Sequence, residues 1–250
     1  MKKILITGCK GFIGRHLVRS LENEFEILGY DLGYNQEKLI EFCESADCII
    51  HLAGLMRSDD IKAIYDVNYG LTAEICSILL TSDNKSKIIL ASSRHSGSES
   101  DYGKSKFMAE KAVLAMQEML SNEAYICRLP NLFGPGARPN YGSVVATWCN
   151  NAQKGLGLEI SDSDIEMSLY YVDDLIADFK KIIKVGSKKI IHENFPTTKI
   201  KLGDLKFIIE QFALGKAIDD FQKYDKKFNE EKDLYQRAMQ TPDITQSFSY

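Results

Sequence analysis

Thr7-Gly8-Cys9-Lys10-Gly11-Phe12-Ile13-Gly14 is a glycine-rich turn between the apolar run Ile4-Leu5-Ile6 and a helical pattern. It therefore connects a strand to a helix. Glycines at this spacing let the backbone turn tightly against phosphates and let the helix approach the strand. A helix that begins in such a loop directs its first amide groups at an anion. The turn predicts a dinucleotide site formed by Gly8, Gly11, Phe12, Ile13 and Gly14.

Short apolar runs alternate with helical patterns through the first half of the chain. Strands are predicted near 3–7, 26–31, 47–51, 87–92 and 124–129. Helices are predicted near 13–24, 36–45, 60–80 and 101–120. Parallel strands need crossover connections, which these helices provide. The pattern therefore predicts an α/β fold with a doubly wound parallel sheet.

After Arg128 prolines and glycines crowd together, so the chain leaves the sheet at a loop, where ligands bind in such folds. We predict residues 1–130 to form a dinucleotide-binding core and 131–250 to form a small C-terminal substrate lobe with a tail. The tail from Asp219 to Tyr250 is interpreted as a surface helix with a frayed end or as part of an interface. Within 131–250 the pattern predicts helices at 141–154, 173–184 and 202–214 and a strand at 167–172, with helix 173–184 packing back on the core.

Composition excludes several classes of partner. A net charge of −4 gives no reason to expect nucleic acid or a membrane surface. The apolar run after Met1-Lys2-Lys3 is too short for a signal peptide or a membrane span, so we expect a cytoplasmic protein. Six cysteines lie scattered without a CxxC pair, so we expect reduced thiols and no metal site.

Two charged side chains favour different forms of the cofactor. Asp31 ends the second predicted strand, where its carboxylate can accept hydrogen bonds from the adenosine ribose, and this favours NAD. Lys10 lies inside the glycine loop, where its ammonium can reach a 2′-phosphate, and this favours NADPH. A solvated loop lysine is the alternative interpretation of Lys10.

Tyr102 and Lys106 form a candidate acid–base pair, because residues four apart lie on one face of a helix. A free tyrosine has a pKa near ~10 and exchanges protons poorly at neutral pH. A nearby cation lowers that pKa toward the working range. Together with the glycine loop, the pair predicts oxidoreductase chemistry on a nicotinamide cofactor.

Several further motifs follow in a characteristic order. They are the glycine loop, Asp31, His51-Leu52-Ala53-Gly54, Asn68, Ser92-Ser93, Tyr102 to Lys106, Arg128-Leu129-Pro130-Asn131 with Gly134-Pro135, and Tyr171-Val172-Asp173-Asp174-Leu175. In this order they resemble the extended short-chain dehydrogenase/reductase family, which has a Rossmann fold, across at least residues 1–185. The resemblance implies that a serine orients the substrate oxygen, a tyrosine transfers the proton, and a lysine binds the nicotinamide ribose and lowers the tyrosine pKa. Carried over, these residues are Ser93, Tyr102 and Lys106, and the cofactor-binding residues include Leu52, Ala53 and Gly54.

The choice of Ser93 depends on the pleat of the strand. Alternate residues face opposite sides, so only one hydroxyl of the pair can face the pocket, and in the family it is usually the second. Ser92 remains the alternative. Dehydratases of the family carry an Asp-Glu pair after the serine to break a C–O bond. Arg94 and His95 stand there instead, which argues against dehydration, and we interpret His95 as a solvated loop side chain.

A narrower resemblance concerns Arg128–Gly134 and Arg138–Thr147. These stretches, Lys10 and the short serine-to-tyrosine spacing are similar to the reductase part of capsular-polysaccharide enzymes that make UDP-N-acetyl-L-fucosamine. Those relatives use NADPH despite an acidic residue after the second strand, so the resemblance favours NADPH over NAD. Typical members continue into a cupin domain that epimerises the sugar, and this chain stops about where that domain would begin. A separate cupin partner, a fragment, and a relative acting on another sugar are alternatives, and a homodimer is left open.

Two residues after the sheet are candidates for binding the substrate. The Arg138 guanidinium matches diphosphate oxygens in two-pronged geometry, and Asn131 can donate an amide hydrogen bond to the same group. A surface arginine is the alternative for Arg138. Trp148 is interpreted as core rather than as a platform for uracil.

The sequence thus predicts an NADPH-dependent reductase of a 4-keto-6-deoxy UDP-sugar, N-acetylated in our interpretation. A nucleotide-sugar 4-epimerase that keeps its NAD bound is the alternative within the same class. A catalytically idle dinucleotide-binding regulator is the alternative from another class, because fold alone does not establish turnover.

Overall fold

The computed structural model describes residues 1–185 and 190–215. The charged tail from Asp219 to Tyr250, for which a surface helix or an interface segment is predicted, lies outside the described residues. The chain divides into two compact units. The first comprises Met1–Leu129 and Ile176–Asn194, and the second comprises Pro130–Leu175 and residues 195–215.

Strands and helices alternate along the chain. In chain order they are β1 (Lys3–Thr7), α1 (Phe12–Leu21), β2 (Glu26–Tyr30), α2 (Gln36–Ser45), β3 (Cys48–His51), α3 (Ile61–Tyr65), a π-helical turn (Asp66–Gly70), α4 (Leu71–Ser82), β4 (Lys87–Ser93), α5 (Asp101–Leu120), β5 (Ala124–Leu129), β6 (Asn131–Phe133), α6 (Val144–Gln153), β7 (Glu166–Tyr171), α7 (Val172–Val185), β8 (Ile191–His192), β9 (Thr198–Lys201) and α8 (Leu202–Ala213). Within this part of the chain, no helix is both long enough and apolar enough to cross a membrane.

The first unit is built on a six-stranded sheet in the order β2-β1-β3-β4-β5-β8, in which every neighbouring pair is parallel. The direction in which the chain adds strands reverses between β1 and β3. This confirms the predicted doubly wound fold. Ligands of such sheets bind beyond the carboxyl ends of the strands at the point of reversal. There, Thr7 and His51 are paired in register, so the loops after β1 and β3 begin side by side.

Helices cover the sheet of the first unit, which explains why its central strands are apolar along their length. All four residues of β3 are buried. Leu5, Ile49 and Leu90 of the sheet share one core cluster with Leu79 of α4 and Val113 of α5. This packing holds the carboxyl ends of β1, β3 and β4 at one edge, which is where the candidate site lies.

The helix α7 belongs to the first unit from Ile176 onward. Lys87, at the start of β4, donates hydrogen bonds from Nζ to the carbonyl oxygens of Ile182 and Ile183, each at 3.2 Å. A cation at the last turn of a helix satisfies carbonyls that have no partner within the helix. These bonds tie the end of α7 to the sheet.

The second unit has its own three-stranded sheet in the order β6-β7-β9. β6 pairs with β7 in parallel, and β9 pairs with β7 antiparallel. Phe133 and Leu169 of the sheet form a core with Trp148 of α6 and Leu205 of α8. Trp148 is 6% exposed, as expected of a core residue.

The structure differs from the sequence prediction in short elements. The strands β6, β8 and β9 were not predicted, because at two to four residues they are too short for a period of two to stand out. Pairing with neighbouring strands, rather than local pattern, specifies them. The helix predicted over 60–80 is α3, a π-helical turn and α4. The turn widens the backbone at Asn68, and π-helical turns are frequent at functional sites.

Candidate active site

The glycine loop lies at the carboxyl end of β1. Gly8 has a φ of +68°, and a Cβ on it would lie 2.9 Å from a backbone nitrogen in the loop after β3. A Cβ on Gly14 would lie 2.2 Å from the Gly8 carbonyl oxygen. Both positions therefore require glycine. Gly11 is the N-cap of α1 and has no side chain, so the amides of the first turn point at the space beyond the helix. This cradle fits the diphosphate of a dinucleotide.

Asp31 holds the glycine loop to the end of β2. Its Oδ2 accepts a hydrogen bond from the Lys10 backbone nitrogen at 2.7 Å, and its Oδ1 accepts one from the Leu32 nitrogen at 2.8 Å. The side chain of Lys10 is exposed. Each carboxylate oxygen of Asp31 can accept a second hydrogen bond and is therefore still able to bind a ribose hydroxyl. The contacts of Asp31 with ribose and of Lys10 with a 2′-phosphate stay predictions.

His51 ends β3 as a buried, neutral histidine. The Thr72 hydroxyl donates to the Asn68 carbonyl oxygen at 2.7 Å, so its oxygen accepts from His51 Nε2–H at 2.9 Å. His51 Nδ1 then accepts from the Thr7 hydroxyl at 2.6 Å, and Thr7 Oγ1 accepts from the Ala53 nitrogen at 3.2 Å. Burial, assisted by the charge of Lys106, lowers the pKa of His51 to about 3. The chain of bonds joins the ends of β1 and β3 to the π-helical turn.

Asn68 joins the loop after β3 to α5. Its Oδ1 accepts from the Leu55 nitrogen at 2.8 Å, and its Nδ2 donates to the Leu55 oxygen and to Ser105 Oγ, each at 2.9 Å. Ser105 Oγ donates to the Tyr102 carbonyl oxygen at 2.8 Å. The fully buried Asn68 amide thus fixes the first turns of α5 beside Leu55 in the loop after β3.

Lys106 is a buried cation on α5. Its residue is 3% exposed, and burial lowers its pKa to about 8 although the charge of Glu110 opposes the shift. A Cβ on Gly54 would lie 3.8 Å from Lys106 Nζ, so the ammonium lies beside the loop after β3. Tyr102 is half-buried one helical turn before Lys106. At neutral pH Lys106 remains mostly charged and can stabilise a phenolate at Tyr102.

The two serines at the end of β4 have different partners. The Ser92 hydroxyl donates to the carboxylate of Glu110. Ser93 Oγ accepts from the His95 backbone nitrogen at 3.1 Å and keeps its own proton available for donation. This difference favours Ser93 as the serine that acts on substrate, a role that stays a prediction. The side chains of Arg94 and His95 are exposed.

The second unit contains the two residues predicted to bind the substrate diphosphate. Asn131 Nδ2 donates to the Ser168 carbonyl oxygen at 3.4 Å. The Arg138 guanidinium carbon lies 5.1 Å from the centre of the Tyr141 ring, a cation–π contact that restricts the arginine. Their roles in binding the substrate stay predictions.

The sequence motifs do not include Glu110, and they do not show that Asn68 links Leu55 to Ser105. Glu110 is 2% exposed on the same face of α5 as Lys106. The available signal was spacing: a glutamate four residues after Lys106 lies on the buried stripe of the helix, where an acidic residue needs a partner. Within residues 1–185 and 190–215, no group of three or more His, Cys, Asp or Glu side chains could hold a metal ion.

A parallel sheet with a glycine loop at its point of reversal, a Tyr-x-x-x-Lys pair and a strand-end serine define a dinucleotide-binding class of enzymes. Residues 4–192 match the NAD dependent epimerase/dehydratase family, and the chain belongs to this family. This confirms the resemblance to the extended short-chain dehydrogenases/reductases.

Two curated relatives of this chain are enzymes named for UDP-sugar substrates. The chain is 32% identical over 213 residues to a UDP-2-acetamido-2,6-beta-L-arabino-hexul-4-ose reductase of Pseudomonas aeruginosa, covering 84% of this chain and 57% of that protein. It is 26% identical over 215 residues to a UDP-glucose 4-epimerase of Vibrio cholerae, covering 70% and 64%. The chain spans about half to two thirds of the length of the curated relatives that it matches.

Among solved structures, the capsular polysaccharide assembling protein CapF from Staphylococcus aureus is similar. The superposition has a TM-score of 0.78 at 30% sequence identity and covers 99% of this chain and 67% of that chain. The predicted resemblance to a capsular-polysaccharide protein is thereby confirmed.

The buried His51 generates a prediction about acid stability. Its pKa is about 3 in the folded protein and about 6.5 in an unfolded chain, so below about pH 6.5 only the unfolded chain takes up this proton. Stability is therefore lost as pH falls, by up to about 1.4 kcal/mol per pH unit from this residue. His51→Gln should remove that part of the slope in urea unfolding measured between pH 6.5 and 4.5. Equal slopes in the two proteins would contradict a neutral, buried His51.

Proposed function

We propose that this chain is a cytoplasmic, NADPH-dependent reductase of a 4-keto-6-deoxy UDP-sugar, with an acetamido group on the sugar, in the synthesis of a polysaccharide precursor. The observation that carries the proposal is the burial of Lys106 one turn after Tyr102, beside the loop after β3. The name and 32% identity of the Pseudomonas relative support the substrate class. A homodimer and a separate cupin epimerase are the protein partners that this function allows.

Three side chains of the first unit have distinct roles in the proposed carbonyl reduction. A dinucleotide held at the glycine loop would supply the hydride for the carbonyl carbon. Tyr102 donates its proton to the carbonyl oxygen as charge develops there, and Ser93 donates a hydrogen bond to the same oxygen. Lys106 then stabilises the phenolate that remains on Tyr102, because an opposite charge favours the ionised form. The product is the sugar alcohol.

Asn131 and Arg138 are the residues that we assign to the substrate diphosphate. Arginine binds two phosphate oxygens at once, and an amide can donate to a third. The cation–π contact with Tyr141 restricts the Arg138 side chain, so less conformational entropy is lost on binding. Both residues suit an anionic diphosphate better than a neutral ketone.

The exposed ammonium of Lys10 supports NADPH. A 2′-phosphate near Asp31 would meet a carboxylate, and Lys10 is the cation in the same loop that can offset this repulsion. The Asp31 carboxylate accepts hydrogen bonds from the backbone nitrogens of Lys10 and Leu32. It therefore stabilises the glycine loop whether or not it also binds the ribose. An acidic residue after β2 is therefore compatible with NADPH.

A nucleotide-sugar 4-epimerase is the second candidate, because the Vibrio relative carries that name. An epimerase returns its hydride, so it consumes no cofactor over a full turnover. A reductase oxidises one NADPH for every sugar that it reduces. The stoichiometry of cofactor consumption separates the two functions.

The function is tested by following NADPH oxidation against a panel of 4-keto UDP- and dTDP-sugars. We expect stoichiometric oxidation with a 2-acetamido-4-keto-6-deoxy UDP-sugar. Tyr102→Phe should lower turnover by about 10²–10⁴-fold with little effect on NADPH affinity, because it removes only the proton donor. Tyr125→Phe, at the start of β5, is the matched control and should keep turnover. If catalytic amounts of NAD suffice and the sugar is epimerised, the reductase proposal fails and the epimerase stands.

Cofactor choice gives a separate prediction. Wild-type protein should bind NADPH more tightly than NADH, and Lys10→Ala should lose most of this preference, since a hydrogen bond to a charged group contributes about 1.5–3 kcal/mol. Fluorescence titration of both dinucleotides measures the preference. Lys2→Ala, which removes an exposed lysine before β1, should leave it unchanged. Equal affinities in the wild type would contradict the assignment of NADPH.

A further inference from the structure

A buried acidic residue links the strands and the helix that carry the predicted catalytic set. Glu110 of α5 accepts hydrogen bonds from Arg128 of β5, from Nε to Oε1 at 3.0 Å and from Nη2 to Oε2 at 2.7 Å. Its Oε1 also accepts from the Ser92 hydroxyl at the end of β4. Arg128 Nη1 also donates a hydrogen bond to Oε2 of the exposed Glu193, at 3.2 Å. One carboxylate thus joins β4, α5 and β5.

The hydrogen bonds of Glu110 fix the orientation of the two serines at the end of β4. Ser92 and Ser93 are adjacent in β4, so their side chains leave opposite faces of the strand. Because Ser92 donates to Glu110, the orientation of Ser92 is fixed, and the orientation of Ser93 is fixed with it. A two-pronged arginine contact in turn restricts Glu110 to one position.

The same carboxylate lies one helical turn after Lys106 on the same face of α5. Among the described residues, the charged and titratable groups near Lys106 are Tyr102 and Glu110 of α5 and the neutral His51 of β3. Arg128 of β5 contacts Glu110. Burial lowers the pKa of Lys106 to about 8, and the negative charge of Glu110 raises it. The pKa of Glu110 is itself lowered, because hydrogen bonds from Arg128 and Ser92 outweigh its burial. Glu110 is therefore charged at neutral pH.

We propose that Glu110 is a positioning residue for the catalytic set, which it serves by fixing the Ser92-Ser93 pair and by placing a negative charge beside Lys106. Arg128 holds Glu110 in that position. Neither residue needs to touch substrate or cofactor for this role. The effect on turnover rests on the reductase function proposed above, whereas the effect on Lys106 does not.

The consequence for pH follows from the sign of the interaction. Lys106 acts as a cation, so its contribution is lost as pH rises through its pKa. Without the negative charge of Glu110 that pKa is lower, and the loss begins at a lower pH. A purely structural Glu110 would change stability and leave the pH dependence of the folded protein unchanged.

The test compares Glu110→Gln with two matched controls on α5. Glu118→Gln removes an exposed charge from the same helix, and Val113→Ala removes core packing from its buried face without changing charge. For each protein we would measure the melting temperature, the pH dependence of NADPH affinity by fluorescence, and kcat and KM for the keto-sugar. All kinetic comparisons are made at a temperature where the proteins are folded.

We expect Glu110→Gln to lower kcat by about 10- to 100-fold with a small change in KM, as misplacement of catalytic groups does. Its NADPH affinity should decline at a lower pH than in the wild type. Glu118→Gln and Val113→Ala should keep the wild-type pH profile, even where Val113→Ala melts earlier. If Glu110→Gln has the kcat and the pH profile of Val113→Ala at a similar loss of stability, the proposal is overturned.

A variant that removes both charges covers the case in which Glu110→Gln does not fold. Removing a buried ion pair as a unit avoids leaving one charge without its partner, so Glu110→Gln/Arg128→Met should fold. It should shift the pH profile in the same direction, and a wild-type profile would overturn the proposal. If the wild type reduces no keto-sugar but the shift in NADPH binding is present, the reductase function fails and the role of Glu110 stands.

Discussion

The burial of the Lys106 ammonium is the constraint on which the rest of the site depends. An ammonium in an apolar interior is costly, and its pKa falls to about 8 as a result. The negative charge of Glu110, one turn further along α5, offsets part of this cost. The benefit is electrostatic, because a charge in a dry environment acts more strongly on a neighbouring phenol than one in water. Tyr102, on the preceding turn, is the phenol on which we propose that this charge acts.

Helix α5 can carry this cation only if its first turns are fixed. Asn68 provides one attachment through Ser105 and Leu55. Gly103 provides another, because a Cβ there would lie 2.4 Å from the His95 carbonyl oxygen, so the loop after β4 packs against the helix backbone. The loops after β3 and β4 therefore meet the start of α5, and the loop after β1 packs against the loop after β3. A doubly wound sheet produces this convergence through its order of strands.

The sequence predicted the parts of the molecule in which local pattern and tertiary structure agree. The strands β1 and β5 and the helix α5 have the predicted bounds, because long apolar runs and a long amphipathic pattern are strong signals. The strands β6 and β8 were missed, because pairing across the sheet specifies them rather than their own residues. The π-helical turn was read as plain helix, since one extra residue in a turn leaves the apolar pattern almost unchanged. In the site, motif order made Tyr102 and Lys106 candidates, and their roles stay predictions. The partners of Glu110 come from β4 and β5 and become apparent only in three dimensions.

The most direct test of the account is the ionisation of Tyr102 itself. It can be followed by carbon NMR of protein labelled at the tyrosine Cζ, with the Tyr102 signal assigned by its loss in Tyr102→Phe. We predict that Tyr102 ionises at least about one pH unit below the usual ~10, and that Lys106→Met raises its pKa to 10 or above. A Tyr102 pKa near 10 in both proteins would contradict the claim that the buried ammonium prepares this phenol for proton transfer.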